Sequence, residues 1–202
     1  MRSCDTARSR RELLLYALPR GYRGEEGIIP LNPDFRPWAR AEVLSVRGQL
    51  STEQLAELLA DCFPTAEKLT RGHLDAFLWF LGGGEETRGD REEGVRCCDL
   101  LEDGPALTAA FRRVYGIDLT RESLHWWLFR ALLEDLLTTD RIEQVAAYRS
   151  MTLDNMSAEQ RRYFLRKKAR YALTEPCAET VEQRDRRLVA RLRAAAERGK
   201  ED

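Results

Sequence analysis

The sequence predicts a mainly α-helical single domain, with a short N-terminal β-hairpin and a basic C-terminal helix. Three observations carry this reading. Apolar residues recur at three- and four-residue spacing along most of the chain, the signature of amphipathic helices. Two stretches, "STEQ" at 51–54 and "SAEQ" at 157–160, contain the serine-x-x-glutamine of a helix capping box. Hydrophobic content of 43% beside 33% charged residues suits a soluble, helix-rich chain of 202 residues.

Residues 1–11 are polar and basic and read as a disordered arm. In "ELLLYALPRGYRGEEGIIPL", apolar runs flank the turn-rich "RGEEG", which indicates a hairpin. A helix should follow at "NPDFRPWARAEVLSV", with Asp34 as N-cap and Pro37 in the first turn, where a missing N–H costs little. Its apolar face is Phe35, Trp38, Ala39, Val43 and Val46. Ser51 and Gln54 cap a second helix, striped by Leu55, Leu58, Leu59 and Cys62. Pro64 fits the start of a third, whose "HLDAFLWFL" is apolar almost all round and so should be buried. Glycine and charge without periodicity mark 82–94 as a mobile loop inside one domain.

Helical signal resumes at "VRCCDLLEDGPALTAAFRRVY", where Gly104–Pro105 should kink or split the helix, because proline removes a helix hydrogen bond. Tyr115-Gly116-Ile117 reads as a stop with Gly116 in the left-handed conformation, and Thr120 as the next N-cap. Two further helices, "DRIEQVAAYRSM" and "SAEQRRYFLRKKARYAL", precede Pro176. The domain so drawn spans 12–175, and an arginine-rich helix occupies 176–202.

On a helical wheel, Leu128, Phe129, Leu132 and Leu136 centre one apolar face of 122–137, with His125 among them. Ser123, Arg130 and Glu134 mark the opposite stripe; Trp127 falls within it and Trp126 at its edge. His125 reads as a core histidine held by a hydrogen bond. Trp127 is either covered by the protein's own helices or is an anchor for a partner, a role tryptophan favours. The candidate partner contacts are therefore Trp126, Trp127 and Arg130, with Leu188 and Leu192 on the last helix.

Composition and spacing point away from catalysis. There is no phosphate loop, since "GGGEETRG" lacks the lysine, and no nucleophile elbow. The five cysteines show no C-x-x-C pair and read as reduced thiols, and the two histidines form no metal set with them. No metal, cofactor or catalytic residue is expected. No apolar run reaches the roughly 20 residues of a membrane span, and the N-terminus lacks the long apolar core of a signal peptide. Charge is uneven: residues 159–202 hold thirteen Lys and Arg against eight Asp and Glu. Within this tail, Arg161, Arg162, Arg166, Lys167, Lys168 and Arg170 interleave with aromatic residues, a pattern that could track phosphates and stack bases. An ordinary amphipathic face explains the same stretch, and nucleic acid is the weaker partner reading.

Two blocks carry a family resemblance. "LPRGYRGEEGIIPLNPDFRPWARAEVLS" and, more specifically, the "YGIDL" turn with the "HWW" helix in "AFRRVYGIDLTRESLHWWLFRALLEDL" resemble the phage gene-product-fifteen family, encoded in the tail-morphogenesis region of long-tailed phages and prophages. The resemblance covers about 13–173 and departs at Gly104–Pro105; nothing carries over to the tail beyond Pro176. It implies a non-catalytic role in virion assembly in the host bacterial cytoplasm. The expected activity is tail assembly chaperone, with other tail proteins, above all the tape-measure protein, as partners. Self-association stays open, as do a nucleic-acid-binding factor using 161–171 and a structural tail or head–tail component.

Overall fold

A computed structural model describes residues 9–24, 27–47, 52–84, 97–139 and 141–174, together with Ala190. Among the described residues the fold is mainly α with one two-stranded antiparallel hairpin, β1 (Gly21–Gly24) and β2 (Gly27–Pro30), registered Tyr22 opposite Ile29. Seven helices accompany it: α1 (Phe35–Arg47), α2 (Thr52–Cys62), α3 (Arg71–Leu81), α4 (Gly104–Tyr115), α5 (Trp126–Thr139), α6 (Arg141–Ser150) and α7 (Ala158–Tyr171). By internal contacts the chain divides into two compact units. One comprises 1–90, 123–131 and 179–202, the other 91–122 and 132–178, so α5 passes from the first to the second.

In the first unit, a 3-10 turn at Arg10–Glu12 opens the described chain, overlapping the end of the span 1–11 read as a disordered arm. Asp34 caps α1 as the sequence requires, its Oδ1 accepting the Arg36 N–H at 2.9 Å. The buried side of α1 is Phe35, Trp38, Ala41 and Ser45, while Ala39 and Val43 are half-buried. The buried face is thus rotated toward Trp38 relative to the expected one, which brings in Ala41 and Ser45 in place of Ala39 and Val43. On α2, Leu55, Leu58, Leu59 and Cys62 are all buried; Ser51 lies outside the described residues.

Pro64 does not begin a helix. It sits in a turn after the buried Phe63, and α3 starts seven residues later, capped reciprocally by Thr70 and His73. Proline suits a turn as well as a first helical turn, so the residue alone does not decide. Leu74, Ala76, Phe77 and Phe80 of α3 are buried and the hairpin packs on this helix. Gly82–Gly84, expected to open the mobile loop, instead close α3, with Gly83 and Gly84 at φ of 78° and 73°. The rest of that loop lies outside the described residues.

In the second unit, Gly104–Pro105 neither kinks nor splits a helix: α4 begins there, with Pro105 in its first turn. The loss of an N–H is harmless at that place. The stop at Gly116 is as the sequence indicates. Gly116 is left-handed at φ 72°, and the Ile117 N–H reaches back to the Phe111 carbonyl at 3.3 Å. Thr120, however, caps no helix; Asp118 takes both its N–H and its hydroxyl. Ser157 and Gln160 form the expected capping box at the head of α7.

Candidate interaction surfaces

The tryptophan pair resolves first. Trp126 and Trp127 are each 0% exposed, so the assignment of Trp127 and Trp126 to a partner surface is corrected: both are core residues. Their indole N–H groups explain the arrangement. Trp127 Nε1 donates to the Phe80 carbonyl at 2.9 Å and Trp126 Nε1 to the Leu81 carbonyl at 3.2 Å. Both carbonyls belong to the last turn of α3, and the Phe80 oxygen also accepts the Gly83 N–H at 3.1 Å. The adjacent tryptophans thus cap one helix while starting another. Around them Phe80 stacks on Trp127 at 5.5 Å, Trp79 meets it edge-on at 5.1 Å, and Phe129 stacks on both Trp126 and Phe35.

His125 completes the junction. Its Nδ1 accepts the Trp127 N–H at 3.1 Å, capping α5, and its Nε2 lies 2.9 Å from the Pro19 carbonyl. An acceptor Nδ1 and a donor Nε2–H define the neutral imidazole. Burial holds its pKa below the usual histidine value; the Pro19 carbonyl opposes this and Arg20 reinforces it. The core histidine of the sequence reading is therefore correct, with two hydrogen bonds where one was expected. Arg130 pairs with Glu42 at 2.7 Å and lies 5.5 Å from the Trp126 ring. It is held by its own unit.

The wheel misplaced Trp127 for a physical reason. A single wheel assumes one environment along the helix, whereas α5 serves one unit as far as Ala131 and the other from Leu132. Its buried set accordingly runs Trp126, Trp127 and Phe129, then Leu133 and Leu136, while Leu128 is 37% exposed.

A second set of apolar groups stands in water. In the first unit Leu14 is 99% exposed, Leu15 72%, and Ile28 on the hairpin 68%. Burying such a side chain is worth roughly 1.5–3 kcal/mol, and here that gain is not taken. The "ELLLYAL" run was read as part of the hairpin, which hid these residues; three consecutive leucines after a basic stretch were the available signal.

The cations of α7 separate into two groups. Lys168 donates to the Met151 carbonyl at 2.6 Å and Arg161 to the Leu153 carbonyl at 3.2 Å, fixing the connection before the helix. Lys167 lies between the Tyr148 and Tyr163 rings. Arg162, Arg166 and Arg170 face outward and are exposed. Like charges four residues apart on a helix cost about 0.2–0.5 kcal/mol per pair, and α7 carries two such pairs in succession. Of the rings near them, Tyr171 stacks on Tyr148 at 5.6 Å and Phe164 meets Tyr163 at 5.1 Å, while Tyr163 stays 45% exposed. Leu188 and Leu192 lie outside the described residues.

Arg149, which the sequence did not single out, anchors the second unit. Its guanidinium grips Asp103 at 2.6 and 2.9 Å and donates to the Cys97 and Tyr171 carbonyls. The bond to Asp103 raises its pKa further. Burial, helped by Asp103, pushes the Cys98 thiol up to about 12, and burial raises Cys62 further still. Neither is a thiolate at neutral pH. Among the described residues no group of three or more His, Cys, Asp or Glu could hold a metal ion, and no helix is long and apolar enough to cross a membrane.

These features define a mainly α-helical protein with a small hairpin, an aromatic junction and exposed apolar and basic surfaces. Residues 64–173, more than half of the chain, match the family model described as Bacteriophage Gp15 protein, and the chain belongs to that family. It is thus a bacteriophage-related protein. The matched segment includes both the "YGIDL" and the "HWW" blocks; the hairpin, α1 and α2 precede it. No curated protein and no solved structure shows a significant match.

Proposed function

We propose that this protein is a non-catalytic tail morphogenesis factor, a tail assembly chaperone that acts with the tape-measure protein in the host cytoplasm. Family membership supports the phage context. The observation that carries the chaperone reading is the exposure of Leu14, Leu15 and Ile28. Aliphatic side chains held out of the core are what a protein needs to cover apolar segments of an unassembled client. The tape-measure protein is such a client, being long and prone to self-association until tail-tube subunits gather around it.

Co-expression with the tape-measure protein encoded nearby tests this. The partner should become soluble and co-purify, and a chain carrying Leu14→Asp, Leu15→Asp and Ile28→Asp should lose that ability while keeping its helical circular dichroism. An insoluble partner with nothing co-purifying would reject the role. Finding the protein in purified virions would instead make it a structural tail component.

A further inference from the structure

The outer face of α7 has a chemistry the fold itself does not use. On a helix turning 100° per residue, Arg162, Leu165, Arg166, Ala169 and Arg170 share a face about 140° wide. All five are exposed, Leu165 at 50%. The opposite face holds Phe164, Lys168 and Tyr171, which are the residues turned to the unit's own α6 and the connection before α7. Ala158, Leu165 and Ala169 form a narrow apolar strip, and the three arginines run along its side at intervals of about 6 Å. The helix as a whole carries six cations, three of them on this outer face, against one acid, Glu159, which lies at the N-terminal end of the same face. Neither Arg162 nor Arg166 has an ion-pair partner among the described residues; Arg170 lies 5.9 Å from the Tyr171 ring.

We propose that this face docks a helical segment of another protein that is acidic on one side and small and apolar beside it. Carboxylates repeated every fourth residue match the arginine interval, and small side chains let the two helices approach over Ala158, Leu165 and Ala169. Guanidinium groups suit such pairing because their planar fork meets a carboxylate with two parallel bonds. A polynucleotide would supply matching charge but leaves Leu165 uncovered. It also finds Tyr148, Phe164 and Tyr171 already engaged with one another rather than free to stack on bases. The inference stands apart from the chaperone reading, since it involves the second unit and holds whichever client Leu14 and Leu15 cover.

The test uses the full chain and a synthetic helical peptide of about fifteen residues, with glutamate at every fourth position and alanine or leucine beside it. A glutamine analogue and a single-stranded oligonucleotide serve as comparison probes, all followed by fluorescence anisotropy. The glutamate peptide should bind, with affinity about tenfold above its glutamine analogue, the sum expected for three exposed ion pairs. Arg162→Gln/Arg166→Gln/Arg170→Gln should abolish that difference without lowering the unfolding midpoint. The charge-reversed Arg162→Glu/Arg166→Glu/Arg170→Glu chain should in turn prefer a lysine version of the peptide. If reversal prevents folding, the glutamine variant alone decides. Equal binding of both peptides, or binding untouched by the glutamine variant, overturns the proposal. Tighter binding of the oligonucleotide, lost on the same three substitutions, overturns it in favour of a nucleic-acid surface.

Discussion

The junction at His125–Trp127 and the helix α7 look alike as sequence and behave as opposites in the structure. Both set aromatic rings beside polar nitrogen groups in a short stretch of chain. At the junction every polar atom of the three side chains is turned to a backbone partner: two indole N–H groups close α3, while the imidazole opens α5 and reaches Pro19. On α7 no residue is fully buried, and three arginines point away from the unit. The difference teaches what an aromatic-rich motif signifies. When its polar atoms cap helix ends the motif builds the fold; when they are left to solvent it is available to a partner.

The largest effect should follow from emptying the junction. Trp127→Ala removes a fully buried indole and should cost about 3–5 kcal/mol in equilibrium unfolding. A variant of normal stability that had lost a partner would restore Trp127 to the surface and break the comparison.

Cutting the second unit's anchor comes next. Arg149 and Asp103 are 9% and 15% exposed, so Arg149→Met strands the carboxylate and two carbonyls and should cost about 3 kcal/mol. Denaturant titration would measure it.

The third effect depends on pH. The folded state holds His125 neutral, with a pKa below its unfolded value. Its contribution is therefore complete above the unfolded value of about 6.5 and is lost as pH falls through the folded one, because the unfolded chain binds the proton first. Protonation would put a hydrogen on Nδ1, facing the Trp127 N–H. Thermal midpoints taken from neutral to mildly acid pH should drop, and His125→Gln should be less stable at neutral pH but flatter in that window. An equal slope in both chains would remove His125 from the account.

The smallest effect should come from α7. Arg166→Gln relieves two like-charge pairs, so stability should stay within about 0.5 kcal/mol of the parent. A loss of several kcal/mol would mean that α7 is as structural as the junction and would erase the contrast.

Local signals were legible where one residue decides one bond. Asp34 before α1, Gly116 after α4 and Ser157 with Gln160 before α7 were each read correctly, as was the stripe Leu55, Leu58, Leu59 and Cys62. Signals with two uses misled. Pro64 and Pro105 each fit both a turn or helix start and an interruption, and only the surroundings choose. The tryptophans were misjudged because their partners, the Phe80 and Leu81 carbonyls, lie more than forty residues away and reach the indoles only once the chain has folded. The exposure of Leu14 and Leu15 was likewise illegible, since an apolar run is presumed buried until the fold declines to cover it. Within α7 the sequence named all six cations but could not sort Arg161 and Lys168, which hold backbone carbonyls, from Arg162, Arg166 and Arg170, which hold none among the described residues.

The central claim is that the tryptophan pair fastens helix ends. Trp127→Phe isolates it, because the ring volume is largely kept while the N–H that meets the Phe80 carbonyl is lost. Urea unfolding of this variant should show a loss of about 0.5–1.5 kcal/mol, the net worth of one hydrogen bond, since the Phe80 carbonyl keeps the Gly83 N–H, with the denaturant slope unchanged. A midpoint equal to the parent's would contradict the claim and leave the indole N–H without a structural task.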